Sequence, residues 1–168
     1  VVKFTAAFGT WIAKRNGKKT ATIVVGRDAR ISGPMVDSIV TGTLVGLGVN
    51  VVNIGLASTP TTEIAVVNEK ADGGIILTAS HNPKEYNGYK VYWEDGGQIP
   101  PQQASVITKF LNECPWDVPI LSDGEALENG VLEYLDGYID DAYQQCIIDE
   151  MLNSGLSRER GSELDIIY

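Results

Sequence analysis

The sequence predicts an α/β protein, a three-layer α/β/α domain on a mixed, mainly parallel sheet of about four strands. Three observations carry this. Short β-branched or uniformly apolar runs alternate with amphipathic helical stretches in the order β-α-β-α-β, which implies parallel strands joined by right-handed crossovers. The third run is followed by a fourth after roughly ten residues, whereas a helical crossover needs about a dozen or more; the fourth strand therefore returns antiparallel. The third run is also too short and too apolar to be anything but buried.

The elements follow in order. Val1, Phe4, Thr5, Phe8, Trp11 and Ile12 recur at helical spacing and Asn16-Gly17 supplies a stop, so the chain opens inside a helix. Residues 22–25 are a short β-branched run closed by Gly26, a buried strand. A loop carrying Arg27, Asp28 and Arg30 leads to Ser32 and Pro34, which begin a second helix with Met35, Val36, Ile39, Val40, Leu44 and Leu47 on its apolar side. Residues 49–54 form the second strand. Thr59-Pro60 has the cap-then-proline order of a helix start for the segment through Lys70, which Gly73-Gly74 ends. Ile75, Ile76 and Leu77 form the third strand, residues 89–93 the fourth, and residues 102–111 a helix after Pro100-Pro101.

Beyond Glu113 the turn residues Pro115, Pro119, Asp123-Gly124 and Asn129-Gly130 surround short apolar pieces. One element there is clear. Leu135, Tyr138, Ile139, Ala142, Tyr143, Cys146 and Ile147 make the stripe of a helix that stops near Ser154-Gly155, with Asp140, Asp141 and Asp149 on its solvated face. The polar residues 157–163 read as a linker, and residues 164–168 begin a further strand. The expected organisation is an α/β/α domain over residues 1–152, short of its own start, then a linker and the incomplete first strand of a next domain over residues 153–168.

With 168 residues, 43% of them hydrophobic, the chain can bury a sizeable core. A formal net charge of -9 argues against general affinity for nucleic acid, so an anionic ligand needs a local basic pocket. No run is apolar enough to span a bilayer and no signal-peptide pattern is present; the expectation is a soluble, cytoplasmic protein that binds neither nucleic acid nor membrane. Cys114 and Cys146 lack metal-like spacing and read as reduced thiols.

The chemistry concentrates in Thr78-Ala79-Ser80-His81-Asn82-Pro83, trailed by Tyr86-Asn87-Gly88-Tyr89-Lys90. In open α/β sheets, ligands bind beyond the carboxyl ends of the parallel strands, and Ser80 falls there, in a turn that Asn82-Pro83 can fix. The returning strand brings Lys90 to the same place, where an ammonium can neutralise a phosphoryl group or exchange a proton. Arg27 and Arg30 leave the first strand at that edge, and guanidinium groups suit phosphate oxygens. Taken singly, each has a plainer reading: Ser80 as a turn serine, the arginines as solvated loop charges, Lys90 as an exposed strand residue. His81, the one histidine, makes a poor metal case, and adjacent Ser-His side chains diverge, which disfavours a hydrolase dyad. Gly26-Arg27-Asp28 lacks the glycine pattern of a dinucleotide or Walker loop.

Residues 78–83, with Asn87-Gly88 and Lys90, closely resemble the active-site serine loop of the α-D-phosphohexomutases, the family of phosphoglucomutase and phosphomannomutase. Gly26-Arg27-Asp28-Ala29-Arg30 resembles that family's segment after its first strand, and Ser58-Thr59-Pro60-Thr61 its loop after the second. The similarity runs from Val1 to Glu113 in matching order. The wording around Lys90-Val91-Tyr92-Trp93 and Asp95-Gly96-Gly97-Gln98 looks most like the phosphoglucomutase/phosphopentomutase branch. The resemblance implies that Ser80 carries the phosphoryl group and that its phosphate ligates Mg²⁺. It also implies that His81 and Lys90 are the hydrogen-bonding and acid-base residues, with Arg27, Arg30 and Asn82 binding substrate or phosphate. The family's glycine-rich, arginine-bearing start is absent, and its aspartate-rich metal loop belongs to later domains of the same polypeptide.

The function so implied is interconversion of sugar 1-phosphate and 6-phosphate through a phosphoserine and a sugar bisphosphate, in an enzyme of which this chain is an inactive fragment. A phosphopentomutase or a hexosamine phosphate mutase of the same family is the near alternative. A phosphosugar-binding module without turnover is the distant one, and intact Ser80, His81 and Lys90 favour the enzyme.

Overall fold

The sheet is built outward from β1 (Thr22–Arg27), whose β-branched run is buried on both faces. β1 pairs in parallel with β2 (Asn50–Leu56) on one side and with β3 (Gly73–Leu77) on the other, so that Ile23 lies between Val51 and Gly73. These contacts come from a computed structural model that describes residues 1–16, 20–113, 117, 121–165 and 167. β4 (Lys90–Tyr92) runs antiparallel to β3, Lys90 opposite Ile76 and Tyr92 opposite Gly74, as the short connection requires. A fifth strand, β5 (Leu132–Tyr134), adds in parallel to the free edge of β2, giving the order β4-β3-β1-β2-β5. The sheet thus has one strand more than the sequence predicts. Only Leu132 of β5 is buried, so three residues with one inward side chain leave no readable alternation.

Helices cover both faces. On one lie α1 (Val2–Asn16), α2 (Gly33–Gly46), α4 (Pro101–Glu113) and α5 (Asp123–Glu128); Phe8, Trp11, Ile12, Leu44 and Ala126 pack there against Ile23, Val25, Ile75 and Leu77. On the other, α3 (Thr59–Asn68) and α6 (Tyr138–Asp149) bury Ala65, Val66 and Ile139 against Val24, Val52 and Ile54. Ile75, Ile76 and Leu77 are all fully buried; at about 1.5–3 kcal/mol for each such side chain, β3 is a firm base for the loop it carries.

Several boundaries differ from expectation. Gly73 and Gly74 belong to β3 rather than ending α3, which stops at Asn68 and caps on Glu69. Of the stripe read for α1, Thr5, Phe8, Trp11 and Ile12 are buried, whereas Val1 and Phe4 are exposed and Ala6 and Ala7 are buried beside the stripe. α6 caps on Glu150, short of the expected Ser154-Gly155. Residues 157–163, read as a linker, lie in α7 (Ser154–Arg160) and a 3-10 turn (Gly161–Glu163), where Arg160 pairs with Glu163. Leu164, Asp165 and Ile167 have no regular structure, so no strand begins there among the described residues. Gly17, Cys114, Pro115, Pro119 and Tyr168 lie outside the described residues. Cys146 is a free, exposed thiol, and Asp140, Asp141 and Asp149 are exposed on α6 as expected. Among the described residues no helix is long and apolar enough to cross a membrane.

The connectivity positions the site. α2 carries the chain from β1 to β2 over one face, and α3 carries it back past β1 to β3 over the other. The direction of winding therefore reverses between β1 and β3, the place in open α/β sheets where ligands bind at the carboxyl ends of the strands.

Candidate active site

Two loops leave the sheet at that reversal, and they are bound to each other. The β1–α2 loop holds Asp28 and Arg30; the β3–β4 loop holds residues 78–89. Backbone bonds first extend the sheet, Asp28 N–H donating to the Leu77 carbonyl at 3.0 Å and Ala57 N–H to the Arg27 carbonyl at 2.9 Å. The β3–β4 loop closes where Thr78 N–H donates to the Gly88 carbonyl at 3.1 Å. Gly88 is required there, because a Cβ on it would collide with the Thr78 carbonyl. Asn87 Nδ2 donates to Ser32 Oγ at 3.0 Å, tying the loop to the start of α2.

Arg30 is the hub of this assembly. Its Nη1 donates to the carbonyls of Pro83 (2.7 Å) and Tyr86 (2.8 Å), and its Nη2 to those of Ser80 (2.8 Å) and Asn82 (3.0 Å). Its Nε donates to Asp28 Oδ2 at 2.9 Å. A guanidinium has five N–H donors, and each is directed at a protein acceptor. The sequence reading set Arg30 against a phosphate; the structure sets it inside the serine loop, as the cation around which four carbonyls wrap.

Ser80 lies at the tip, exposed, with a backbone φ of 54°. A left-handed conformation costs a residue with a Cβ about 1–2 kcal/mol and persists only where its surroundings hold it. Both sides of the Ser80 residue are held. Its N–H donates to Thr78 Oγ1 at 3.0 Å, Thr78 Oγ1 donates to Asp28 Oδ2 at 2.7 Å, and its carbonyl accepts from Arg30. Asp28 Oδ1 also accepts from the Arg30 N–H at 3.1 Å, a local turn. Burial by itself would raise the Asp28 carboxyl, but the hydrogen bonds from Thr78 and Arg30, with the Arg30 charge, outweigh it and hold the carboxyl below its ordinary value.

The other expected site residues surround this tip. His81 and Asn82 are exposed, Asn82 contributing its carbonyl to Arg30 and its N–H to the Ala79 carbonyl at 3.0 Å. Arg27 ends β1 opposite Leu77 and lines an open cleft with Ala29, Ser58, Thr61 and Tyr143. Lys90, half-buried, opens β4 opposite Ile76. By the alternation of strand side chains, Lys90 shares the face of Tyr92, the one α3 covers, and Arg27 shares the face of Ile23 and Val25. The two cations therefore flank the reversal from opposite faces. Sequence reasoning passed over Thr78 and Asp28 as working residues. The Asp28-x-Arg30 spacing, suited to a turn, was the available signal; the Thr78 partnership spans 50 residues and left none.

Among the described residues no three His, Cys, Asp or Glu side chains gather to hold a metal ion. A phosphate on the exposed Ser80 would offer an oxygen donor to a divalent cation at this tip.

Residues 1–115 match the family model for phosphoglucomutase/phosphomannomutase, alpha/beta/alpha domain I. The chain is 39% identical over 110 residues to the phosphoglucomutase/phosphomannomutase of Thermococcus kodakarensis, covering 66% of this chain and 24% of that protein. It is 37% identical over 147 residues to the phosphoglucosamine/phosphogalactosamine mutase of Sulfurisphaera tokodaii, covering 81% and 31%. Among solved structures, a candidate phosphomannomutase of Thermus thermophilus superposes with a TM-score of 0.76 at 31% identity, over 92% of this chain and 32% of that one. A phosphoglucomutase/phosphomannomutase family protein of Burkholderia thailandensis gives 0.66 at 25%, over 89% and 31%. The chain spans less than a third of the length of each of these relatives.

Proposed function

This chain belongs to the phosphoglucomutase/phosphomannomutase family, and on that premise we propose that Ser80 carries a phosphoryl group which the intact protein exchanges with sugar monophosphates. The observation that carries the proposal is Ser80 itself: an exposed hydroxyl on a residue forced into left-handed backbone, at the winding reversal of the sheet. The hydrogen bonds made by its N–H and its carbonyl hold it in that conformation.

The step is a transfer between two oxygens. The bond from phosphorus to Ser80 Oγ breaks as one forms to a sugar hydroxyl; that hydroxyl's proton passes to a base, and Ser80 Oγ takes up a proton as it leaves. The sugar bisphosphate reorients and returns its other phosphoryl group to Ser80, leaving the isomeric monophosphate. Such transfers depend chiefly on alignment and charge stabilisation. Lys90 and His81 are the candidates for moving the protons, and Arg27, with the exposed Asn82, for contacting phosphate oxygens. A magnesium ion, bound through the phosphate on Ser80 and carboxylates supplied by later domains, would offset the charge on the transferred group. The relatives act on glucose-, mannose- and hexosamine-type phosphates by their names, and the choice among them rests on residues beyond this chain.

The test is phosphate mapping by peptide mass spectrometry on the intact protein after incubation with glucose 1,6-bisphosphate. The expected result is phosphate on Ser80 and no turnover in Ser80→Ala. Full activity in that variant, or phosphate found only elsewhere, would end the proposal.

A further inference from the structure

We infer that Thr78, Asp28 and Arg30 are positioning residues for the reaction, forming a closed ring that sets the direction of the Ser80 side chain. The ring can be followed atom by atom: Ser80 N–H to Thr78 Oγ1, Thr78 O–H to Asp28 Oδ2, Arg30 Nε to the same Asp28 oxygen, and Arg30 Nη2 to the Ser80 carbonyl. It encloses the one residue of the loop that departs from ordinary backbone, with φ at 54°. Fixing both amide groups that flank a Cα fixes the direction of its Cα–Cβ bond, and so where Oγ can reach.

Chemistry favours this arrangement over a simpler one. The Ser80 N–H meets a hydroxyl, which can accept that bond and donate another, so Thr78 passes the pull of the Asp28 carboxylate to the Ser80 amide. A valine of the same shape could do neither. The Arg30 charge sits on the opposite arc, and its remaining donors hold the carbonyls of Asn82, Pro83 and Tyr86, so the loop cannot relax around Ser80 without opening bonds to Arg30. None of the three residues needs to touch the sugar.

The inference rests on the reading of Ser80 as the phosphoryl carrier, and the experiment separates the two. In the intact protein, Thr78→Val is compared with wild type and with Thr78→Ser, by steady-state kinetics and by hydrogen exchange of the segment 78–86. The expected result for Thr78→Val is exchange faster by about ten- to hundredfold, with kcat lower by a similar factor and KM within about threefold. Thr78→Ser, which keeps the hydroxyl, should restore both. Wild-type exchange and wild-type kcat in Thr78→Val would overturn the ring. Should Thr78→Val fail to fold, Asp28→Asn, equal in size and lacking the charge, is read by the same measurements with the same two outcomes. If the wild-type protein takes no phosphate on Ser80, the reading of its function falls, while the exchange comparison still decides whether the ring holds the loop.

Discussion

At the scale of single residues, the arrangement makes the serine loop sensitive to acid. The Asp28 carboxyl is held below its ordinary value of 3.8; a group depressed in the folded state contributes stability that is present above its unfolded value and is lost as pH falls through the folded one. Hydrogen exchange of residues 78–86 should therefore be flat from neutral pH down to about the ordinary aspartate value, once the intrinsic rate is corrected for, and should accelerate below it. Asp28→Asn should lose that acceleration. The ring was legible only in part from the sequence. Ser80 stood out because an uncommon string of residues surrounds it after a buried strand, and Arg30 because of its charge. That Arg30 would turn inward to four carbonyls could not be read, since a carbonyl looks the same in every residue.

At the scale of elements, the hairpin of β3 and β4 is where backbone approach is tightest. Gly88→Ala would drive a Cβ into the Thr78 carbonyl, backbone against backbone with no flexible side chain to yield. A loss of about 1–3 kcal/mol in unfolding free energy is expected, measured by denaturant titration followed by far-UV circular dichroism; a change within about half a kcal/mol would show that the loop can move aside. The antiparallel sense of β4 followed from loop length alone. β5 and α5 were not read from the sequence, because Leu132 and Ala126 are their buried contacts and single inward residues give no period. For α5 the available signal was Ser122-x-x-Glu125, which closes a capping box at its start.

At the scale of the whole molecule, the proposed function separates folding from turnover. Two cores on either face of a five-stranded sheet support independent folding. Phosphoryl transfer needs substrate held at contact distance and charge offset on the transferred group, and losing that alignment removes several orders of magnitude in rate. The 168-residue chain should therefore give a cooperative unfolding transition and no appreciable glucose 6-phosphate from glucose 1-phosphate with Mg²⁺ and the bisphosphate. The intact protein in the same coupled assay should be active, and comparable rates from both would refute the division of roles.

The strand order also sets a timetable for synthesis. β1 is the middle of the sheet, yet its partner on one side arrives late: Ile23 pairs with Gly73, 50 residues further along the chain. At roughly 5–20 residues per second, a ribosome leaves one edge of β1 unpaired for several seconds after the strand emerges, while β2 and α2 can already assemble on the other side. An open edge beside buried valines invites pairing with other chains. The growing polypeptide is thus most exposed to misassembly between the emergence of β1 and that of β3, and a pause within that interval lengthens the exposure.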